Sequence, residues 1–303
     1  MLDRRQLLAG AVGGLFAGLL PRRGLAQQPG LVALGERLSL VTVAGTNVIA
    51  LRSGDSLVMV DSGAPDHSAQ MMDSVRRLSG GRVATLFNTH WHVENTGGNE
   101  ALRQAGATIV AHENTRLWMA TPTWLPEEDR YRQPRPRAAH PDKTFYTSGS
   151  MAVDGERIDY GYLIEAHTSG DIFVFFRDSN VLAAGDVVSP VRDPELDYLT
   201  GAWIGGRVDA MDRLLALADD RTRIVPGFGP VMSREELAIE REMMKTIYDR
   251  TVDRVREGDY VEDMISAGVL NGLARTWKDP NRFLYDLQKG LWAHHNKLSP
   301  NVV

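Results

Sequence analysis

The sequence predicts an α/β protein: one sandwich built from two half-domains, each a sheet covered by helices on one face. Three observations lead there. Strand-like and helical runs follow one another in the order strands, helix, strand, helix, and then strands and helices again. No linker separates the halves, so residues 28–303 read as a single domain. A chain of 303 residues, 43% hydrophobic and 24% charged, can also bury a sizeable core.

The elements follow in chain order. Leu38 to Val43, Asn47 to Leu51 and Ser56 to Asp61 are short alternating or β-branched runs, with Gly45-Thr46 and Ser53-Gly54-Asp55 as hairpin turns. Pro65-Asp66 opens a helix to about Leu78, and the apolar run Val83-Ala84-Thr85-Leu86-Phe87 is the next strand. A helix from Asn99 to Gly106, a strand from Thr108 to Ala111 and a helix from Glu113 to Met119 come after it. Residues 120–141 hold Pro122, Pro126, Pro134, Pro136 and Pro141 among aromatic and arginine side chains, and read as a long irregular loop, a candidate lid. Strands return from Lys143 to Ala184 with Asp154-Gly155 as a turn, followed by a helix from Val208 to Leu217 and a strand from Thr222 to Val225. Residues 233–303 are mostly helical, with Glu235 to Arg256 the longest helix.

Charge and cysteine content narrow the function. A formal net charge of −5 without a basic stripe argues against nucleic acid as a partner. Arg4-Arg5, the apolar run to Leu20 and the small-residue exit at Gly24-Leu25-Ala26 read as a twin-arginine-like export signal over residues 1–27. The expected location is therefore periplasmic or secreted, with no stable membrane insertion after signal removal. There is no cysteine, which excludes disulfides, thiolate ligands and thiol nucleophiles. Metal chemistry must use His, Asp and Glu.

The most informative stretch is Thr89-His90-Trp91-His92-Val93-Glu94-Asn95-Thr96-Gly97-Gly98-Asn99. If the backbone is extended, His90 and His92 share a face and can reach one ion together. Partners recur downstream. Ala166-His167-Thr168-Ser169-Gly170-Asp171 sets a histidine in a loop between strands, and Val181-Leu182-Ala183-Ala184-Gly185-Asp186 is a buried-type strand ending in an aspartate. Pro226-Gly227-Phe228-Gly229-Pro230 is a sharp loop after another strand.

In this order, over roughly residues 38–230, these segments resemble the metallo-β-lactamase superfamily. The resemblance implies an αββα sandwich with additional C-terminal helices and a metal site at one edge of the two sheets. In the family H-x-H-x-D-H helps to hold two metals; carried over, His90, His92 and His167 match the first site and Asp186 the carboxylate that bridges both. The second site is altered. Glu94 stands for the family's aspartate, Asn95 for the next histidine and Phe228 for the histidine of the last loop. Glutamate's extra methylene moves its carboxylate by about 1.5 Å. Asn95 is a poor zinc ligand and Phe228 is none, so one Zn2+ per chain is expected.

What the resemblance implies is an exported hydrolase in which zinc activates water against the carbonyl of a small-molecule ester, lactone, amide or thioester. Asp186 and Glu94 are the expected catalytic carboxylates, Glu94 either as general base or as an orienter of His90 or His92. Two alternatives stand beside it. A mononuclear non-haem iron oxygenase would use Fe2+ on His90, His167 and Asp186; a non-catalytic binding protein would carry a decayed site. Trp91, Trp124 and Tyr131 are the expected substrate contacts. Arg130, Arg132, Arg135 and Arg137 read either as a receiver for an anionic substrate or as a solvated loop. His67 and His112 read as capping or surface residues, His140 as part of the loop, and His294-His295 match no ligand position.

Overall fold

The structure, a computed structural model, describes residues 30–298. The expected export segment lies outside these residues, as do residues 299–303. The first half runs β1 (Gly30–Ala33), β2 (Leu38–Val43), β3 (Thr46–Ser53), β4 (Ser56–Val60), α1 (Ser68–Ser79), β5 (Val83–Phe87), α2 (Val93–Thr96), α3 (Asn99–Gln104), β6 (Thr108–His112) and α4 (Glu113–Ala120). A short hairpin, β7 (Thr123–Leu125) and β8 (Arg130–Arg132), precedes β9 (Lys143–Phe145). The second half runs β10 (Ser148–Val153), β11 (Glu156–Tyr162), β12 (Ile172–Phe176), β13 (Val181–Gly185), α5 (Ile204–Leu217) and β14 (Arg223–Pro226), and closes with α6 (Arg234–Arg256), α7 (Val261–Ser266) and α8 (Pro280–Ala293).

Two sheets form, ordered β1-β2-β3-β4-β5-β6-β9 and β10-β11-β12-β13-β14. The two-residue period of a strand explains their layering. Leu38, Leu40, Ile49 and Leu51 pack between the sheets against Ile172, Val174 and Phe176. Their neighbours Val41, Val43, Val48 and Ala50 pack with Met71, Val75 and Leu102 of α1 and α3. Phe173 and Phe175, on the other face of β12, meet Met211, Leu214 and Leu284 of α5 and α8. Central strands are thus buried on both faces, which is why Ile172–Phe176 is apolar at every position. Truncating a fully buried side chain such as Phe176 to alanine costs about 3–5 kcal/mol. The αββα order expected from the sequence is what these layers make.

Local differences have local causes. The first hairpin turns at Ala44 (φ 51°) and Gly45 (φ 88°), one residue earlier than expected, because this two-residue turn needs positive φ at both positions. Asp154 (φ 48°) and Gly155 (φ 82°) make the same turn where it was expected. The 120–141 segment is not irregular throughout, since Trp124 pairs with Tyr131 across the β7–β8 hairpin. His90 and His92 are not in a strand. The strand ends at Phe87 and the chain bends through residues 89–91 before α2, so the two-residue argument for their convergence fails and the bend brings them together instead. Among the described residues no helix is long and apolar enough to cross a membrane.

Candidate metal centre

The site forms where strand ends from both sheets meet. Asn47 Nδ2 donates to Pro226 O (3.0 Å) and Gly229 O (2.8 Å), and Ile172 N donates to Thr89 O (2.8 Å). These bonds tie β3 to the end of β14 and the segment after β5 to the start of β12, across the two sheets. Asp61, just past β4, adopts a left-handed conformation (φ 62°) that costs a non-glycine residue energy unless its surroundings hold it. They do: its carboxylate accepts from Thr89 N (2.8 Å), Thr89 Oγ1 (2.7 Å) and Asn95 Nδ2 (3.1 Å). Burial nonetheless pushes Asp61 up to about 6 against these bonds.

Each imidazole has one nitrogen engaged on its far side, and that bond sets its tautomer. The Thr89 hydroxyl gives its proton to Asp61, so at 3.1 Å it accepts from His90 Nδ1–H. This leaves the His90 Nε2 lone pair buried and without a partner. His92 Nε2 lies 3.2 Å from Asp197 Oδ2, and His167 Nδ1 donates to Glu195 O at 2.9 Å. His92 Nδ1 and His167 Nε2 then face each other at 2.9 Å. The three rings stand edge to face, with centroids 4.7 to 4.8 Å apart.

Two ring nitrogens without hydrogens at such a distance repel unless positive charge joins them. Burial holds His90 and His167 well below the usual histidine range, with the neighbouring imidazoles adding to the effect. Burial also opposes charge on His92, but its bond to Asp197 and the nearby Glu195 and Glu94 carboxylates outweigh that and lift it to about 9. Three buried imidazoles converging from oriented rings could hold a metal ion.

The carboxylates around this cluster divide by position. The His90, His92 and His167 ligand atoms lie within 4.8 Å of one another, and so do those of His92, Glu94 and Glu195. Asp186 belongs to neither group. It lines a small cleft with His167, Glu195 and Phe228, and burial pushes it up to about 7, helped by Asp61, Glu94 and Glu195. Its Oδ1 is buried without a hydrogen bond. A Cβ on Gly227 would stand 1.8 Å from that oxygen, so any larger residue there would displace the Asp186 carboxylate. The substituted positions are otherwise occupied. Asn95 supports Asp61, and Phe228 lies under the Arg192 guanidinium, 3.2 Å from its ring centroid.

Several supporting residues had no sequence signal. Asp171 accepts from His167 N, Thr168 N and Thr168 Oγ1 and fixes the turn that carries His167. Arg207, wholly buried, donates to Glu195 O (2.9 Å), Asp186 O (2.9 Å) and Ser189 Oγ (2.8 Å). A charge inside the apolar run Ile204–Val208 was the one available hint. The remaining histidines lie outside this cluster: His112 caps α4 by accepting from Asn114 N, and His140 bonds Arg135 O. His67 stands at the start of α1 without a capping bond, and His294 stacks on Trp203.

Beside His92 lies a cavity of about 380 Å³. Trp91, Glu94 and Glu195 line it, as do Trp118, Arg132 and Arg135, so the 120–141 segment does reach the metal edge. Trp124 and Tyr131 do not line it. They are exposed and meet each other at a tilt of 58°, with ring centroids 5.0 Å apart.

Comparison with known proteins agrees with this geometry. Residues 41–228 match the model of the metallo-beta-lactamase superfamily. A metallo-beta-lactamase type 2 of Bacillus cereus is 24% identical over 201 residues, covering 66% of this chain and 73% of that protein. A beta-lactamase-like protein 2 homolog of Caenorhabditis elegans is 22% identical over 232 residues, 71% of this chain and 69% of that one. Among solved structures, a metallo-beta-lactamase from Pontibacter korlensis superposes with a TM-score of 0.59 at 19% identity, covering 72% of this chain and 99% of that one. One from Hirschia baltica gives 0.56 at 19% identity, over 72% of this chain and 98% of that one. With the family model spanning most of the chain and the three histidines gathered at the sheet edge, the protein belongs to the metallo-beta-lactamase superfamily.

Proposed function

We propose that this protein is a mononuclear zinc hydrolase acting on the carbonyl of a small molecule. The observation that carries the reading is the set of three imidazoles, each oriented by a bond on one nitrogen and turning the other toward a common point. Zinc, when bound by His90, His92 and His167, supplies Lewis acidity that acidifies water and polarises a carbonyl. Glu94 takes the proton of the attacking water and returns it to the leaving group, a role supported by its half-buried position beside His92. Asp186 contributes negative charge at the His167 side and Trp91 walls the cavity. A single ion is favoured because His92 has one nitrogen toward His167 and the other on Asp197, leaving none for an ion held by Glu94 and Glu195. The three-imidazole group also favours this reading over an iron triad that includes Asp186.

Elemental analysis of the purified protein tests the proposal, with about one zinc per chain expected. Two firmly bound ions would overturn the argument from Glu94, Asn95 and Phe228, and iron as the native metal would favour an oxygenase. Turnover of an ester, lactone and β-lactam panel, lost on chelation and restored by zinc, tests the chemistry. Export through the twin-arginine-like segment is part of the same proposal; fractionation that leaves the protein in the cytoplasm would remove it.

A further inference from the structure

The four arginines of the 120–141 segment do not behave alike. Arg130 pairs with Glu128 in solvent and Arg137 is exposed. Arg132 and Arg135 are half-buried and line the cavity beside His92. The Arg132 guanidinium lies over the Trp91 ring, 3.7 Å from its centroid, and donates to Thr123 Oγ1 at 2.7 Å. Arg135 donates to Thr96 Oγ1 at 3.2 Å. Neither has an ion-pair partner among the described residues; Asp197 and Glu100 act on them only as more distant charges. Two guanidinium groups partly withdrawn from water, held by neutral acceptors and without a carboxylate, carry a desolvation cost that a bound anion would offset.

We propose that Arg132 and Arg135 form an anion-binding subsite, and that the substrate carries a carboxylate which docks there while its reacting carbonyl lies toward His92. The cavity itself carries the polarity of this arrangement. Glu94 and Glu195 line it together with His92 and repel an anion from that side. Arg132 and Arg135, contributed by the 120–141 segment, attract one. A ligand with a single negative group is therefore oriented by charge before any contact with the reacting centre. Arginine suits the task because its planar fork matches a carboxylate in two parallel bonds. The Trp91 ring under Arg132 holds that planar fork in place and limits its rotamers.

The substrate class rests on the hydrolase reading, but the subsite can be tested without turnover. The probe is glutarate, titrated calorimetrically into the zinc-loaded full chain. Arg132→Gln and Arg135→Gln should each weaken its binding by about ten- to a hundredfold with zinc content unchanged. Arg132→Lys, which keeps the charge and loses the fork, should fall between. A glutarate affinity indifferent to both substitutions places the anion on the metal alone and overturns the proposal, as does failure of the unaltered protein to bind glutarate. A second arm compares 4-nitrophenyl hydrogen glutarate with its uncharged analogue 4-nitrophenyl valerate. A lower KM for the charged ester, lost in Arg135→Gln, supports the subsite. Turnover of both esters with equal KM refutes it while leaving the hydrolase reading intact. Arginine-dependent glutarate binding with no turnover of either ester or of the lactone and β-lactam panel refutes the hydrolase reading and keeps the subsite.

Discussion

Replacing Thr89 with valine tests how the chain prepares His90 for an ion. Valine matches the shape of threonine, which matters because Thr89 packs tightly against Gly185; a Cβ added to that glycine would meet Thr89 at 2.9 Å. The substitution removes two buried hydrogen bonds, Thr89 Oγ1 to Asp61 at 2.7 Å and His90 Nδ1 to Thr89 Oγ1 at 3.1 Å. Asp61 keeps the Thr89 backbone amide and Asn95 as donors. Its loss of one donor of three should cost about 1–3 kcal/mol of stability. His90 loses more than a bond, because nothing then assigns its proton to Nδ1, and the tautomer with hydrogen on Nε2 cannot ligate through that atom. Removing the partner that orients a ligating histidine weakens metal affinity by about 10–100-fold, or about 1.4–2.7 kcal/mol. Competition for zinc against a chromophoric chelator measures the affinity, and thermal unfolding of the metal-free protein measures stability separately. Thr89→Ser, which restores the hydroxyl, should recover most of the affinity. A folded Thr89→Val protein that holds zinc as tightly as the original would show that the Asp61–Thr89–His90 chain does not orient the ligand.

Two further substitutions probe the carboxylate side. Glu94→Gln should retain zinc while the chemical step slows by about 10²–10⁴-fold, the usual weight of a general base; loss of zinc would instead make Glu94 a ligand, and no change a bystander. The triple change Glu94→Asp, Asn95→His and Phe228→His should raise bound zinc from one to two per chain by elemental analysis, since it rebuilds the ligand types whose loss argues for a single ion. A stoichiometry that stays at one in a folded triple variant would show that the Arg192 and Asp61 surroundings, rather than the ligand types, close the second site.

How much of this was legible in the sequence depends on the range of the interaction involved. Strand patterning is local, so Leu38–Val43 could be read as a strand from its alternating run, and strands could be expected between Lys143 and Ala184. His90, His92 and His167 stood out because histidines after apolar strand-like runs recurred in a family order. The groups that orient them did not. Asp61 meets Thr89 across 28 residues and Asp197 meets His92 across 105, and no periodicity links positions so far apart.

The 120–141 segment failed differently. Its composition announced a contact surface, but which side chains face the cavity depends on a hairpin register that its prolines obscured. Trp124 pairs with Tyr131 and Thr123 with Arg132. Successive residues of a strand point to opposite faces, so Arg132 is turned toward Trp91 and Tyr131 away from it. That register carries its own prediction. Trp124→Ala and Tyr131→Ala should leave both zinc content and glutarate affinity unchanged, although these are the largest side chains of the hairpin. Arg132→Gln, one residue from Tyr131, should reduce glutarate affinity. Calorimetry on the three variants compares them directly. If removing Tyr131 weakens glutarate as much as removing Arg132, the hairpin closes over the cavity with the opposite face inward, and the assignment of the anion subsite to Arg132 fails with it.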